Sequence, residues 1–392
     1  MNKTNNKTKT PALILGEIGL IHNLGEVGIP IYVGAEFDTN PSLYSRFAQK
    51  TRIFSSYESE KFIDELCEFG EEIGEKMVLL SDDDRVILNI SENRKKLEPY
   101  YLLLFPDIEI VDQILDKRKF CDLAEKHNLP VPKTFHVSSL NEMDRASENL
   151  SYPCIIKPAY RHLWYHPDFS KVVGEYKKAY KCVDLSELHD LYKKILQIDP
   201  RVVVQEYVEG DDDLHFSVNM AVNSDDQIAG YFIARKLRVY PITAGMGCYI
   251  VTVKDDEIYK TAAQIVTSLK LRGLVNIQFK RDVRTGEPKL IEIHARNSVW
   301  SYLGKAAGMN LSMIHYNELV GLTQNSGNGY KAGVKYVNFQ RDLRAFYQYH
   351  RAGEMNFVQW ISSYFGRVVF STRFLKDPKP FFKFFHRNLR NN

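Results

Sequence analysis

The residue types best suited to chemistry lie close together between Gly273 and Arg296, in the stretch GLVNIQFKRDVRTGEPKLIEIHAR. Leu274–Arg281 and Lys289–His294 are rich in apolar and β-branched residues, and the sequence TGEP at 285–288 supplies a turn between them. Two such runs around a glycine-containing turn predict a β-hairpin.

Polar side chains of this hairpin are spaced two residues apart. Asn276, Gln278 and Lys280 therefore share one face of the first strand, and Glu292, His294 and Arg296 share one face of the second. If the two faces coincide, their amide and carboxylate oxygens suit Mg²⁺, which commonly shares its coordination sphere with nucleotide phosphates. An adjacent arginine suits a phosphoryl oxygen. The same alternation arises in any sheet with one solvated face, so the residues alone leave both interpretations open.

The segments GLVNIQF and LIEIHAR resemble the metal-binding hairpin of ATP-grasp enzymes, and NIQF is especially similar to carbamoyl phosphate synthetase large chains. The resemblance implies that ATP and Mg²⁺ (or Mn²⁺) are the cofactors, that Gln278, Glu292 and His294 bind the metal, and that Arg296 steadies the transferred phosphoryl group. His294 departs from the family, which usually has asparagine there. An imidazole is a softer ligand and favours Mn²⁺ or Zn²⁺, so the departure bears on metal preference.

Two lysines upstream match phosphate ligands of the family. DKRKFCDLAEKHNLPVPKTF places Lys117 where a lysine reaches the nucleotide phosphates, and SYPCIIKP places Lys157 where a lysine contacts the α- and β-phosphates. The resemblance thus implies Lys157 and Arg296 as catalytic residues. From the residues alone, Lys117 begins an exposed basic helix and Lys157 lies near a strand end, where lysines usually face solvent.

The segment VVVQEYVEG resembles the connection between the two ATP-grasp subdomains. The resemblance implies that the backbone near Glu206 and at Val208 pairs with the adenine edge. It leaves Glu206 or Glu209 for the ribose hydroxyls and adds Gln205 to the nucleotide site.

The run RKLRVYP and the later GMG resemble predicted ATP-dependent carboligases, a branch of the superfamily that includes D-aspartate ligase-like enzymes. The basic cluster, with Arg235 and Arg238 as its predicted substrate ligands, favours binding of an acyl substrate or a transferred phosphate. Gly245 and Gly247 allow a backbone to approach a ligand closely. An exposed basic strand face is the alternative.

The order of strands and helices, together with the resemblance, predicts an α/β and α+β fold in which a Rossmann-like preATP-grasp domain precedes a two-subdomain ATP-grasp fold. We predict a disordered N-terminus (1–10), the preATP-grasp domain (11–115), the small subdomain (116–205), the large subdomain with the metal hairpin (206–330) and a basic, aromatic C-terminal extension (331–392). A helix is expected around Leu43–Lys50. The acids of 82–84 either bind a cation or begin a solvated helix, which is the commoner arrangement.

Composition bounds the class of protein. With 44% hydrophobic and 26% charged residues the chain is typical of a globular protein, and a formal net charge of +3 supplies no general field for nucleic acid. No apolar run approaches the ~20 residues that span a bilayer, and the polar start lacks a signal peptide, which predicts a cytoplasmic location. Five scattered cysteines predict reduced thiols.

The C-terminal extension is basic: from Lys331 onward, twelve lysines and arginines face three acids, Asp342, Glu354 and Asp377. Its last segment, 381–390, combines phenylalanines with cations. Such a helix usually packs its aromatic side on the protein, and contact with an anionic membrane surface is the alternative.

The resemblance as a whole implies an ATP-dependent carboxylate–amine ligase that forms an amide bond through an acylphosphate and releases ADP and phosphate. Its partners would be ATP and small-molecule carboxylate and amine substrates, with no nucleic acid, in a monomer or homodimer. The basic cluster favours an acidic acyl donor. The carboligase resemblance points to an amino acid or an amino-containing cell-envelope or surface-polysaccharide precursor.

A catalytically impaired ATP-binding or ATP-sensing protein is the alternative function, and His294 is the residue that favours it. No general base is identifiable, although His162, His166 and His215 are candidates. The aromatic-rich stretch 159–184 is either a lid that excludes water or a recognition surface.

Overall fold

The structure is a computed structural model that describes residues 9–158, 167–173, 179–242, 245–322, 329–372 and 375–383. Most of the predicted disordered N-terminus therefore lies outside the described residues. The same holds for His162, His166 and residues 384–390 of the C-terminal extension.

A parallel sheet of five strands, in the order β3-β2-β1-β4-β5, forms the first unit of the described chain. Its strands are β1 (Ala12–Leu15), β2 (Ile31–Ala35), β3 (Ala48–Ile53), β4 (Met77–Ser81) and β5 (Tyr101–Leu102). Its helices are α1 (Ile18–Gly25), α2 (Glu60–Ile73), α3 (Asp84–Glu92), α4 (Arg94–Leu97) and α5 (Ile108–Leu115). Strands β1 and β4 are buried along their whole length, as expected of central strands covered on both faces.

The expected helix around Leu43–Lys50 does not form. A 3₁₀ turn at Pro41–Tyr44 ends at Ser45, whose backbone is extended, and the chain continues directly into β3. Alternate residues of β3 are half-buried and exposed, so the segment pairs at the sheet edge instead of coiling.

An antiparallel sheet of four described strands, in the order β6-β9-β7-β8, forms the second unit. The strands are β6 (Thr134–Val137), β7 (Cys154–Pro158), β8 (Tyr180–Cys182) and β9 (Val202–Glu206). Helix α6 (Lys117–Lys126) leads into this unit but packs its buried Leu123 and Ala124 on the core of the other two sheets. The helices of the unit itself are α7 (Leu140–Glu148), α8 (Pro167–Val173) and α9 (Leu185–Leu196).

A seven-stranded sheet, counted over the described residues, forms the third unit in the order β14-β13-β10-β11-β12-β15-β16. The strands are β10 (His215–Val222), β11 (Ile228–Tyr240), β12 (Met246–Val253), β13 (Gly273–Arg281), β14 (Pro288–His294), β15 (Lys335–Val337) and β16 (Val368–Phe370). The helices are α10 (Asp256–Ser268), α11 (Tyr302–Ala307), α12 (Leu311–Leu319), α13 (Phe339–Arg351) and α14 (Phe357–Ser362). Among the described helices, none combines the length and the apolar composition needed to cross a bilayer.

The three sheets are packed around two main hydrophobic clusters. One continuous cluster contains buried residues of both the first and the third sheet, such as Leu13 and Val218. A separate cluster, with Ile156 and Val204 among its members, fills the four-stranded unit. The first and third units therefore form one packed body, and the second unit has a core of its own.

The C-terminal segment is built into this body. Its strand β15 pairs with β12, and the Arg238 guanidinium on β11 donates to both carboxylate oxygens of Asp342 on α13, at 2.7 and 2.9 Å. Asp342 is fully buried and also accepts hydrogen bonds from Trp360 and Tyr364. Further on, Asp377 accepts hydrogen bonds from the first unit, including one to His22 at 3.0 Å.

Removal of the Asp342 carboxylate would leave the Arg238 charge buried without its counter-ion. Asp342→Ala should therefore lower the apparent free energy of unfolding by about 3–5 kcal/mol, measured by urea denaturation. Asp64→Ala, which removes an exposed ion pair with Lys96 on the surface of α2, is the matched control and should cost less than about 1 kcal/mol. Equal losses in the two variants would contradict a stabilising role for the buried pair.

Candidate active site

The predicted hairpin is formed by β13 and β14, and its two polar faces coincide. Asn276 lies opposite His294, and Gln278 lies opposite Glu292. The register shifts after Gln278, so that Ile291 is an extra residue on β14. A bulge of this kind re-aims the side chains beside it, and here it adjoins Glu292.

The metal ligands predicted from the sequence lie within contact distance of one another. The Nε2 atom of His294 lies 3.3 Å from Oε2 of Glu292 and 3.3 Å from Nε2 of Gln278. The Gln278 Oε1 atom accepts a hydrogen bond from Nζ of Lys236 at 2.9 Å. A carboxylate, an imidazole, an amide and an ammonium group thus share one face of the third sheet.

A buried polar network holds this face in place. The Asn276 side-chain amide donates to Oγ of Ser217 at 2.5 Å and to Oδ1 of Asn219 at 2.9 Å. Gln278 in turn donates to Oδ1 of Asn276 at 3.3 Å. These polar groups are almost fully buried, so each hydrogen bond is costly to leave unmade and the side chains have little freedom to rotate.

Arg296 is bound by a residue of the first unit. Its Nε and Nη2 atoms donate to the two carboxylate oxygens of Asp84 at 2.6 and 2.7 Å, a bidentate geometry that fixes the guanidinium plane. The same carboxylate lies 3.4 Å from Nδ1 of His294. Asp84 thereby positions both residues at the end of the hairpin.

The charged groups of this cluster shift one another's pKa values. Burial alone would raise the pKa of Asp84, but the charges and hydrogen bonds of Arg296 and His294 together outweigh it and hold that pKa well below its usual range. Burial and Arg296 act to lower the pKa of His294, yet the carboxylates of Asp84 and Glu292 outweigh them and raise it. The imidazole therefore carries more positive charge than an isolated histidine.

The three acids at 82–84 have three different environments. Asp82 is buried and accepts the Glu17 backbone N–H at 3.2 Å, and burial raises its pKa to about 7. Asp83 caps α3 by accepting the backbone N–H of Arg85. The predicted helix start is confirmed for Asp83 and Asp84, and the contact of Asp84 with the site is an addition that the sequence did not reveal.

The donor set of the hairpin fits a divalent cation shared with phosphates. Glu292 is half-exposed, and the His294 ring nitrogen lies beside its carboxylate. The Gln278 oxygen accepts a hydrogen bond from Lys236 and would have to exchange it for the cation. Among the described residues, no group of three or more His, Cys, Asp or Glu side chains is arranged to hold a metal by itself. Phosphate or water oxygens would have to complete the coordination, as is usual for Mg²⁺.

Lys157 approaches the hairpin from the second unit. Its Nζ donates to Oε1 of Gln205 at 2.9 Å, and the Gln205 amide donates to Thr134 at 2.8 Å, so the predicted ligand Gln205 orients the lysine. Burial lowers the pKa of Lys157, and the Glu292 carboxylate partly opposes that shift. The Glu292 carboxylate, from the other core, is thus near enough to act on the lysine electrostatically.

Lys117 is the first residue of α6, and its side chain is half-buried. The Cys121 thiol, one turn along the helix, donates to the Lys117 carbonyl at 3.2 Å. Burial raises the pKa of this thiol to about 11, and the nearby charge of Lys157 acts in the opposite direction. The helix that carries Lys117 therefore lies near Lys157.

The predicted adenine-binding segment connects the second and third units. Glu206 donates its backbone N–H to the Lys133 carbonyl at 2.9 Å, and the Glu209 carbonyl accepts from Val283 at 3.1 Å. The Val208 side chain is buried. These contacts fix the backbone of the segment, and its pairing with adenine stays a prediction.

A cationic cluster surrounds the middle of that segment. Lys181 lies 4.0 Å from the ring centre of Tyr207, and Lys280 lies 4.5 Å from it. Lys280 is almost fully buried, which lowers its pKa. Because Lys280 shares the site face with Gln278, an anion bound there would compensate its buried charge.

The structure corrects the prediction for the basic cluster of β11. Arg238 is bound by Asp342, so its guanidinium is committed to the C-terminal segment. Arg235 lies opposite Phe216, on the face of the sheet that does not carry Gln278. Of this cluster it is Lys236, between the two arginines, that reaches the site.

The two glycines of GMG have packing explanations. A Cβ atom on Gly245 would lie 2.0 Å from the Pro241 carbonyl oxygen, which only glycine avoids. A Cβ on Gly247 would lie 3.1 Å from the Ile250 side chain and 3.3 Å from Cγ of Lys236. Gly247 therefore leaves room for the Lys236 stem, and direct substrate contact by either glycine stays a prediction.

His215 also faces the site, but it is a poor general base. Burial lowers its pKa well below the usual range, and the charges of Lys236 and Lys280 add to the shift. Within the described residues its Nδ1 atom has no hydrogen-bond partner. An imidazole with such a low pKa would take a proton from an amine substrate only weakly.

Sequence reasoning missed Asp84, Lys236 and the network beneath Asn276. The signal for Asp84 was its place after β4, because the carboxyl ends of parallel strands meet at one edge where ligands commonly bind. The position of Lys236 on the site face follows from the alternation of side chains along β11, but only once the register of β11 with β10 is known. The partners of Asn276 lie on β10, far away in sequence, and no local pattern pointed to them.

Comparison with known proteins agrees with this architecture. Residues 199–341 match a family model described as ATP-grasp in the biosynthetic pathway with Ter operon. The chain is 24% identical over 327 residues to D-aspartate ligase of Enterococcus faecium, a match that covers 80% of this chain and 77% of the relative.

Two further similarities extend over parts of larger proteins. The chain is 29% identical over 214 residues to the carbamoyl phosphate synthase large chain of Methanospirillum hungatei, covering 53% of this chain and only 19% of that relative. The biotin carboxylase domain of Hydrogenobacter thermophilus 2-oxoglutarate carboxylase, solved with MgADP, ADP and bicarbonate, superposes with a TM-score of 0.62 at 12% identity and covers 83% of this chain and 74% of that one. The fold class predicted from the sequence is confirmed.

Substitution of Lys157 tests whether this lysine binds the phosphates of ATP. Lys157→Ala removes the half-buried ammonium group that Gln205 orients and should weaken ATP binding at least about tenfold, because charge-assisted contacts to phosphate are strong. Isothermal titration calorimetry with ATP measures the effect. Lys126→Ala, which alters an exposed lysine of α6, is the control, and equal affinities of the two variants would remove Lys157 from the phosphate site.

Proposed function

We propose that this chain, which belongs to the ATP-grasp superfamily and to its D-aspartate ligase-like branch, is an ADP-forming carboxylate–amine ligase. The observation that carries the proposal is the cluster of Glu292, His294 and Arg296 on the hairpin. Lys157, from the unit with its own core, is near enough to act on Glu292 electrostatically. A lysine near a carboxylate-containing cluster is an arrangement suited to a nucleoside triphosphate with its metal.

The roles of the residues follow from their chemistry. Gln278, Glu292 and His294 would hold Mg²⁺ or Mn²⁺, which neutralises phosphate charge when bound. Lys157 and Lys117 bind phosphate oxygens, and the segment from Glu206 to Glu209 receives the adenosine. Such a site acts by positioning and by charge neutralisation and requires no protein nucleophile.

The reaction has two transfers. A substrate carboxylate oxygen attacks the γ-phosphorus of ATP, the bond to the β-phosphate oxygen breaks, and ADP leaves. The amine nitrogen of the second substrate then attacks the acyl carbon, the carbon–oxygen bond to phosphate breaks, and the amine loses a proton as the amide forms. Arg296, fixed by Asp84, steadies the phosphoryl oxygens through both steps.

The acyl donor is proposed to be an acidic amino acid or a similar small anion. Lys236 and Lys280 place two largely buried ammonium groups on the site face, which favours binding of a negatively charged substrate there. The similarity to D-aspartate ligase supports an amino acid. An amino-containing cell-envelope precursor is the proposed amine acceptor.

An ATP-binding protein without ligase activity is the second candidate. Two observations favour it: an imidazole stands at position 294, and the Gln278 oxygen accepts a hydrogen bond from Lys236. A site of this kind would bind ATP and release no products with any substrate pair.

The deciding experiment measures ADP and phosphate release from ATP with Mg²⁺ or Mn²⁺, across amino acids and amino sugars tested singly and in pairs. Release that depends on both a carboxylate and an amine supports the ligase. Tight ATP binding with no release for any pair, including amino-containing envelope precursors, would favour the second candidate.

The metal-binding role of Glu292 predicts a specific defect. Glu292→Gln keeps the shape of the side chain and removes its charge, so turnover should fall by about a hundredfold or more while ATP affinity falls less than about tenfold. Steady-state rates and calorimetry measure the two quantities separately. Glu287→Gln, in the exposed turn of the same hairpin, is the control, and unchanged turnover in Glu292→Gln would place the metal elsewhere.

The Asp84–Arg296 pair predicts a defect confined to the chemical step. Asp84→Asn removes the charge that orients Arg296, so kcat should fall by about tenfold to a hundredfold with little change in the KM for ATP. Asp84→Glu, which keeps the charge, should recover part of the loss. A rise in KM with unchanged kcat would show that Asp84 serves binding or folding instead.

A further inference from the structure

The C-terminal helices expose a group of large apolar side chains, which we name the apolar patch. Its members are Phe339, Leu343 and Tyr347 on α13, Phe357, Val358 and Ile361 on α14, and Phe365 just after α14. The exposed fraction is 74% for Val358 and 76% for Phe365. Side chains this exposed protrude from the surface.

The patch follows from the spacing of apolar residues. Phe339, Leu343 and Tyr347 are four residues apart, so they form one stripe along α13. The buried side of the helix carries Asp342 and Tyr349 instead. The helix packs on the protein through this buried side, so the exposed stripe takes no part in the hydrophobic core.

Ring contacts fix the two helices to one another. Phe346 stacks on Trp360 with ring centres 4.8 Å apart, and Trp360 also lies 6.0 Å from Phe357 and 6.3 Å from Phe339. The buried Asp342 accepts a hydrogen bond from the Trp360 indole at 2.8 Å. Phe339 and Phe357 of the patch therefore lie on either helix beside the same indole ring, on a fixed support.

Exposed aromatic residues are concentrated in this region. Among the described residues, seven aromatic side chains are largely exposed, and all except Phe37 lie between 339 and 382. Scattered exposed apolar residues are ordinary, but a concentration in one segment marks an interaction surface.

The exposed charges of the C-terminal segment itself are almost all positive. Two of the three acids in the segment, Asp342 and Asp377, are buried and bound internally, which leaves Glu354 as the exposed carboxylate of the described segment. The exposed cations of the same segment are Lys331, Arg344, Arg351, Arg367, Lys376, Lys379 and Lys383. Arg344 and Arg351 flank the stripe on α13, and the Arg351 guanidinium lies 5.2 Å from the ring centre of Tyr347.

We propose that the apolar patch and its flanking cations bind an anionic lipid bilayer, with α13 and α14 lying at the membrane surface. Protruding phenylalanine and aliphatic side chains enter the boundary between headgroups and acyl chains, and arginines beside them contact lipid phosphates. A second copy of the chain is disfavoured because a symmetric contact would bring the same cations together. A protein partner is disfavoured because its anchoring side chains are usually received in pockets, and these side chains protrude.

The sequence left contact of the segment 381–390 with an anionic membrane as the alternative to packing on the protein, and residues 384–390 lie outside the described chain. The exposed apolar side chains lie instead on α13, on α14 and just after α14. Membrane binding by this surface does not depend on the proposed ligase reaction.

Sedimentation of the full chain with phosphatidylcholine vesicles, with and without phosphatidylglycerol, tests the proposal. We expect sedimentation only with the anionic vesicles and its decrease at high salt. Phe357→Ser with Phe365→Ser should lower the partition coefficient at least about tenfold. Phe37→Ser, which removes the exposed aromatic residue of the first unit, should leave it unchanged.

A charge-reversal pair tests the electrostatic part. Arg344→Glu with Arg351→Glu should lower binding at least about tenfold, since each basic residue near the surface contributes on the order of fivefold. Lys61→Glu with Lys95→Glu, two exposed lysines of the first unit, is the matched control. Circular dichroism and thermal melting confirm that all variants remain folded.

Three results would overturn the proposal. The first is no sedimentation with anionic vesicles, or equal sedimentation with neutral ones. The second is an equal loss of binding in the control variants. The third is concentration-dependent dimerisation in gel filtration that the Phe357 and Phe365 substitutions abolish, which would identify the patch as a contact between copies of the chain.

Discussion

The bond between Arg296 and Asp84 joins two parts of the chain that are 212 residues apart, and the geometry of the site depends on it. Arg296 ends the hairpin, whereas Asp84 begins a helix of the first parallel sheet. Because the two guanidinium contacts are parallel, the arginine cannot rotate without losing both. His294 lies against the same carboxylate, so the first unit positions the hairpin residues as well as supporting the fold. The continuous core beneath them explains why this position can be held rigidly.

Lys157 belongs to a unit with a separate core, and this separation has a physical consequence. Two bodies joined by the segment from Glu206 to Glu209 can change their relative position without repacking either core. Burial weakens the proton affinity of Lys157 while Glu292 strengthens it, so the lysine is electrostatically coupled to the opposite body. A polyanion with a metal ion between the bodies would satisfy both partners. The arrangement thus links nucleotide binding to the position of the small unit.

The C-terminal segment shows how burial of a few charges changes the character of a surface. Asp342 neutralises Arg238 inside the protein, and Asp377 is held by the first unit. The same two bonds that anchor the segment remove two acids from its surface. What remains outside is a set of cations around the apolar patch. Arg238, expected to meet substrate, therefore contributes to the anchoring of this surface.

The sequence by itself determined the hairpin, its polar faces and the order of the units, because alternation along a strand and the turn at 285–288 are local properties. The resemblance to ATP-grasp enzymes supplied the expected roles of Lys117, Lys157 and the hairpin ligands, since their motifs are short and ordered. Only the tertiary structure decided that Lys236 faces the site while Arg235 and Arg238 do not, because that depends on strand register and bulges in β11. It alone also brought Asp84 to Arg296. Long-range pairing of this kind is set by how separate sheets pack on one core, and no spacing within the sequence encodes it.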